Sequence, residues 1–116
     1  MASKSDLSSY RKSYKKNSPF NYKDCKNPLD LFNTWFNDFD NDDSDSEVNA
    51  MSLSTVGVDG FPKSRVVLLK EYNQDGFIFY TNYNSEKGVS IDKNNKVCLS
   101  FFWEQHERQV IIKGYA

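Results

Sequence analysis

Two cations bracket a single apolar run, Arg65-Val66-Val67-Leu68-Leu69-Lys70. Val/Leu composition of this kind reads as a β-strand. Arg65 and Lys70 lie an odd number of positions apart, so in an unbroken strand they project from opposite faces. Arg65, Val67 and Leu69 share one face, and Val66, Leu68 and Lys70 share the other. Both faces carry apolar groups, which predicts a strand covered on both sides. A cation on each face must either snorkel to solvent at the strand end or meet an anion.

Other reactive side chains offer less. His106 lies in a predicted turn with no second His, Cys or carboxylate at ligand spacing, so no metal site is expected. Asp40 to Glu47 holds five carboxylates in eight residues. A calcium loop would need Gly at its sixth position and Glu at its twelfth, where Asp45 and Met51 stand. The stretch is expected to be a solvated acidic loop. No Ser-His-Asp arrangement, phosphate-binding P-loop or GxGxxG occurs. Cys25 and Cys98 are far apart and outside any CxxC pair, predicting two free thiols in a reducing, cytoplasmic setting. Cys98, in an aromatic strand, is expected to be a buried small hydrophobe.

The elements that would position these groups can be read in order. With 116 residues the chain is one domain at most, and 15 basic against 16 acidic groups give it no field that would gather nucleic acid or anionic lipid. Neither an apolar leader nor a run of about 18 apolar residues is present, so no membrane span is expected. Residues 1–26 are polar and basic and predict a mobile arm, and residues 27–116 form the domain. Asn27-Pro28 starts a helix over about 28–39, with Phe32, Trp35, Phe36 and Phe39 as one aromatic stripe. From Ala50 to Val58 the period becomes two, and Asp59-Gly60 supplies a turn into a second strand over about 63–71. Asn73 to Gly76 turns it back into a third strand, 77–81. A polar break at 82–85 caps a short helix near 85–93 carrying Lys87 in its first turn. Val97, Leu99, Phe101 and Trp103 line one face of a fourth strand, and a fifth runs from Arg108 to Tyr115 and stops without a closing turn. The fold class expected is mainly β with flanking helices, a small barrel or strongly curled sheet.

Taken as a series, these stretches resemble the pyridoxamine 5′-phosphate oxidase family, FMN enzymes of the split β-barrel class. The matching pieces are Asn27 to Phe32, Ser64 to Lys70, Phe79-Tyr80-Thr81-Asn82, Ser85-Glu86-Lys87, Phe102-Trp103 and Glu107 to Val110, in the family's order and spacing. The resemblance covers nearly all of residues 27–115 and corresponds to the N-terminal portion of the family, which implies an FMN-binding split barrel incomplete at its C-terminus.

The resemblance implies that Arg65 and Lys87 hold the FMN phosphate, helped by Thr81 and by a helix N-terminus. The strand Arg65, Val66, Val67, Leu68, Leu69 and Lys70 would run along the flavin edge, with Tyr80 and Gln109 adding polar contacts. Lys70 would reach the phosphate of pyridoxamine or pyridoxine 5′-phosphate, so that the two cations serve two phosphates. Tyr10 to Tyr14 is similar to an arm segment covering the substrate, which makes Arg11 and Tyr14 candidate substrate contacts. The family commonly has a basic pair after the serine, whereas Glu86 occupies its first position here. No catalytic base is assigned. The implied reaction is FMN-dependent oxidation to pyridoxal 5′-phosphate with dioxygen reduced to hydrogen peroxide, in a cytoplasmic homodimer. A non-catalytic flavin- or pyridoxal-phosphate-binding module, or a fragment inactive alone, is the alternative.

Overall fold

A computed structural model describes residues 6–10, 27–41 and 47–116. Arg11, Tyr14, Cys25, most of the basic arm and the centre of the acidic loop lie outside the described residues. Helix α1 (Pro28–Asp40) is followed by strands β1 (Ala50–Val56), β2 (Pro62–Asn73) and β3 (Gly76–Phe79), helix α2 (Glu86–Lys93), and strands β4 (Lys96–Trp103) and β5 (Arg108–Tyr115). The strands form one antiparallel sheet in the order β3-β2-β1-β4-β5. The result is a curled half-barrel with two helices, as the sequence pattern predicts.

Local chemistry explains the elements. Asn27 caps α1 by accepting from the Asp30 N–H at 3.0 Å, and Pro28 occupies a position where no N–H is needed. The α1 stripe packs onto the inner face of the sheet, where Phe32 meets Phe101, Trp103, Tyr72 and Phe77 at centroid distances of 5.0–5.7 Å. Leu53, Met51, Leu99, Phe101 and Trp103 are buried beneath it. The Trp103 indole N–H donates to the Val48 carbonyl at 3.1 Å, so its burial leaves no orphan donor. Ser85 caps α2 by accepting from the Gly88 N–H at 3.2 Å. Between β1 and β2 the connection is a five-residue loop (57–61), with Gly60 at φ 88°.

Three expectations are corrected. First, β2 is covered on one face only. Arg65, Val67 and Leu69 face inward, while Val66 on the other face is 70% exposed. Both helices lie on the inner side, so the outer face has no cover among the described residues. Second, the alternation breaks at Lys70. Leu69 pairs with Phe79 and Glu71 with Ile78, so Lys70 is the extra residue of a β-bulge. Lys70 and Glu71 are both exposed, and Tyr72 turns back to the core. Third, Cys98 is half-buried rather than buried, because alternation along β4 puts it outward, between Ser54 on β1 and Lys113 on β5.

Candidate functional site

The inner face has a polar end. Thr55 continues the Met51-Leu53 row of β1 yet is a hydroxyl amid apolar neighbours, only 2% exposed. Its Oγ1 accepts from Arg65 Nη1 at 2.8 Å, and the carbonyls of Leu53 and Lys63 accept from the same nitrogen at 3.1 Å each. Three fixed acceptors therefore anchor one corner of the guanidinium. Among the described residues Nε and Nη2 have no partner. A half-buried cation held in this way presents a planar pair of donors suited to a phosphate or carboxylate.

Helix α2 closes over this end of β1. Its first turn leaves main-chain N–H groups unsatisfied by the helix itself and carries Lys87, which is half-buried and has no ion-pair partner among the described residues. Thr81 lies 3.4 Å, hydroxyl to hydroxyl, from Ser85, which donates to the Asn82 carbonyl at 2.6 Å. Gly88 is buried against the same loop. A Cβ there would stand 2.5 Å from the Asn82 carbonyl oxygen and 2.8 Å from that of Tyr83, so only glycine lets loop and helix approach this closely. The Glu86 carboxylate turns to the Lys63 ammonium at the start of β2. Lys63, Arg65, Thr81 and Lys87 thus sit on segments tied to one another at one end of the inner face, with Glu86 engaged by a cation.

Other sequence candidates are placed elsewhere. Val66, Leu68 and Lys70 lie on the outer side of β2, where Lys70 has no ion-pair partner among the described residues. Tyr80 is largely exposed just after β3. Gln109 projects from the outer face of β5, 3.4 Å from the Ser100 hydroxyl. Three strand spacings separate β5 from β2, about 14 Å at the usual interval. One copy of the chain therefore does not bring Gln109 to Arg65. A hollow of about 400 Å³ also opens away from this site, lined by Val56, Pro62 and Cys98 together with Lys96 and Lys113. His106 contacts the Phe39 ring at 5.4 Å, and no group of metal-ligating side chains occurs among the described residues. Thr55, Lys63 and Gly88 escaped the sequence reading. Thr55 carried a signal, a hydroxyl in an otherwise apolar stripe.

The family model for pyridoxamine 5′-phosphate oxidase matches residues 45–116. The chain belongs to the pyridoxamine 5′-phosphate oxidase family. Among curated relatives, the pyridoxine/pyridoxamine 5′-phosphate oxidase of Flavobacterium johnsoniae is 60% identical over 111 residues, which is 96% of this chain and 52% of that protein. That of Flavobacterium psychrophilum is 54% identical over 109 residues, 94% of this chain and 51% of the relative. The chain spans about half the length of the curated relatives it matches. In solved structures the same sheet recurs in PhzG from Burkholderia lata 383, in complex with tetrahydrophenazine-1-carboxylic acid, at TM-score 0.78 and 26% identity over 86% of this chain and 50% of that one. An FMN-binding, pyridoxamine 5′-phosphate oxidase-related protein of Nostoc punctiforme shares the fold at TM-score 0.66 and 18% identity, over 77% of this chain and 47% of that one. The fold of this family member is therefore that of the FMN-binding split barrels. No helix among its described residues is long and apolar enough to cross a membrane.

Proposed function

We propose that this family member serves FMN-dependent oxidation of pyridoxamine or pyridoxine 5′-phosphate to pyridoxal 5′-phosphate. The observation that carries the reading is the Arg65 guanidinium, fixed at one corner by three acceptors and free at the other, beside the first turn of α2. These donors suit the chemistry of a phosphate dianion. Arg65, Lys87, the Thr81 hydroxyl and the α2 N–H groups would hold the FMN phosphate. The β2 main chain from Arg65 to Lys70 would lie along the flavin edge, with Tyr80 nearby. The bound flavin supplies the hydride acceptor and the route by which electrons reach dioxygen.

Lys70 is assigned to the substrate phosphate, since its place on the bulge aims it away from Arg65 and leaves its ammonium unpaired among the described residues. Arg11 and Tyr14 are assigned as further substrate contacts on the resemblance alone. A homodimer in the cytoplasm completes the proposal. Gln109 and Arg65 lie on opposite faces and well-separated strands, so both reach one flavin only if two copies contribute. The open outer face around Val66, Phe102 and Ile111 gives a second copy an apolar surface to cover.

The test is to titrate the purified chain with FMN, then add pyridoxamine 5′-phosphate under air and follow pyridoxal 5′-phosphate by absorbance. Product with stoichiometric peroxide is expected. Flavin binding without turnover would replace the oxidase reading with a binding module. Absence of flavin binding would overturn both.

A further inference from the structure

Lys63 makes two connections at once. Its main-chain carbonyl accepts from Arg65 Nη1 at 3.1 Å, and its ammonium pairs with the Glu86 carboxylate. Glu86 is the first residue of α2, immediately before Lys87. A helix N-terminus attracts negative charge through its unsatisfied N–H groups and its dipole. Left without a cation, the Glu86 carboxylate would take that place itself and would repel any dianion brought to the same turn. The ion pair instead draws it across to the start of β2.

The geometry points to Lys63 as a positioning residue for a phosphate monoester. It turns the Glu86 carboxylate away from the first turn of α2, and its carbonyl steadies the guanidinium that shares the task. Lys63 need not touch the ligand. Its contribution passes through Glu86, and this distinguishes it from Arg65 and Lys87. Both side chains of the pair are more than half exposed, at 52% and 64%. Such a pair adds little to stability, so its role is legible in ligand binding rather than in unfolding. The inference rests on the reading that Arg65 and the first turn of α2 receive the FMN phosphate.

The experiment compares FMN with riboflavin, which lacks the phosphate, by fluorescence titration at low salt. The ratio of the two affinities reports the phosphate contact alone. In Lys63→Met this ratio should fall roughly fivefold, the scale of an exposed charge interaction, while riboflavin affinity stays unchanged. In Glu86→Gln the ratio should hold or rise. In the Lys63→Met/Glu86→Gln double variant it should return to the Glu86→Gln value. The exchanged pair, Lys63→Glu/Glu86→Lys, should keep the wild-type ratio within about twofold, and raising the salt should shrink the Lys63→Met effect.

Equal losses from Lys63→Met with and without Glu86 would make Lys63 a direct phosphate contact and overturn the positioning role. An unchanged ratio in Lys63→Met would overturn it as well. If the unsubstituted chain binds FMN no better than riboflavin, the phosphate reading itself fails, and the two failures are thereby told apart.

Discussion

At the α1 end of the inner face, Phe32, Phe36 and Phe39 pack edge-on, tilted or stacked against Phe101 and Trp103, and the polar Trp103 N–H and Tyr72 hydroxyl there each find a partner. At the α2 end the same sheet carries Thr55, Arg65 and Lys63, and the helix above contributes Ser85, Lys87 and a buried glycine. One sheet thus presents a dry half and a charged half, each under its own helix. Aromatic burial at the first end supplies stability. At the second, hydrogen bonds hold a cation still and leave its Nε and Nη2 donors without a partner among the described residues. The two halves should therefore respond separately to substitution, since few groups are shared between them.

The sharpest break comes from the dry half. Phe101 is fully buried, and Phe101→Ala should lower unfolding free energy by about 3–5 kcal/mol, read from the urea midpoint. A shift below about 1 kcal/mol would mean that the α1 cluster is not the main core. Next is the charged half. Lys87→Ala should weaken FMN binding tenfold or more, from the loss of a charge-assisted contact of about 1.5–3 kcal/mol, while the urea midpoint stays in place. Unchanged flavin affinity would remove Lys87 from the site.

Gly88→Ala tests the seam between helix and loop. The Cβ contact at 2.5 Å demands movement of main chain. Overpacking of this kind costs about 1–3 kcal/mol, and the better helix propensity of alanine returns up to about 1 kcal/mol. A net loss near 1 kcal/mol with weakened FMN binding is expected, and a more stable variant would show that the loop yields freely.

The smallest effect is one of pH. Burial raises the Tyr72 hydroxyl above its ordinary value of 10.0. Its neutral form is thus favoured in the folded state, so this stability is fully present below about pH 10 and is lost as pH rises through the folded value. Tyr72→Phe should flatten that alkaline decline, measured by urea unfolding at pH 9 and 11. An unchanged slope would count against Tyr72 as its source.

Much of the dry half was legible in the sequence because its signals are local. Asn27-Pro28 and the spacing of Phe32, Trp35, Phe36 and Phe39 specify α1 and its buried side, and period-two alternation specifies β1 and β4. Family motifs drew attention to Arg65 and Lys87, but their surroundings depend on partners distant in sequence. Lys63 and Glu86 are 23 positions apart, and neither residue alone foretells the pair. The clash that requires glycine at position 88 appears only once the 82–85 loop is folded back on α2. The expected two-sided cover of β2 failed because a continuous Val/Leu run does not say whether its second face is covered by the same chain.

The bulge at Lys70 divides β2 into two segments of opposite parity. Before it, odd-numbered side chains look inward; after it, even-numbered ones do, so Arg65 and Tyr72 reach the same interior despite an odd separation. Deleting Lys70 would restore a single parity along the whole strand. Either Tyr72 would swing out of the aromatic cluster, or Arg65 would leave Thr55 for the opposite side. The inserted residue therefore works as a mechanical coupling that lets a hydrophobic anchor and a guanidinium arm be mounted on one continuous rod. The length of the strand on each side of position 70 can then change only in steps of two.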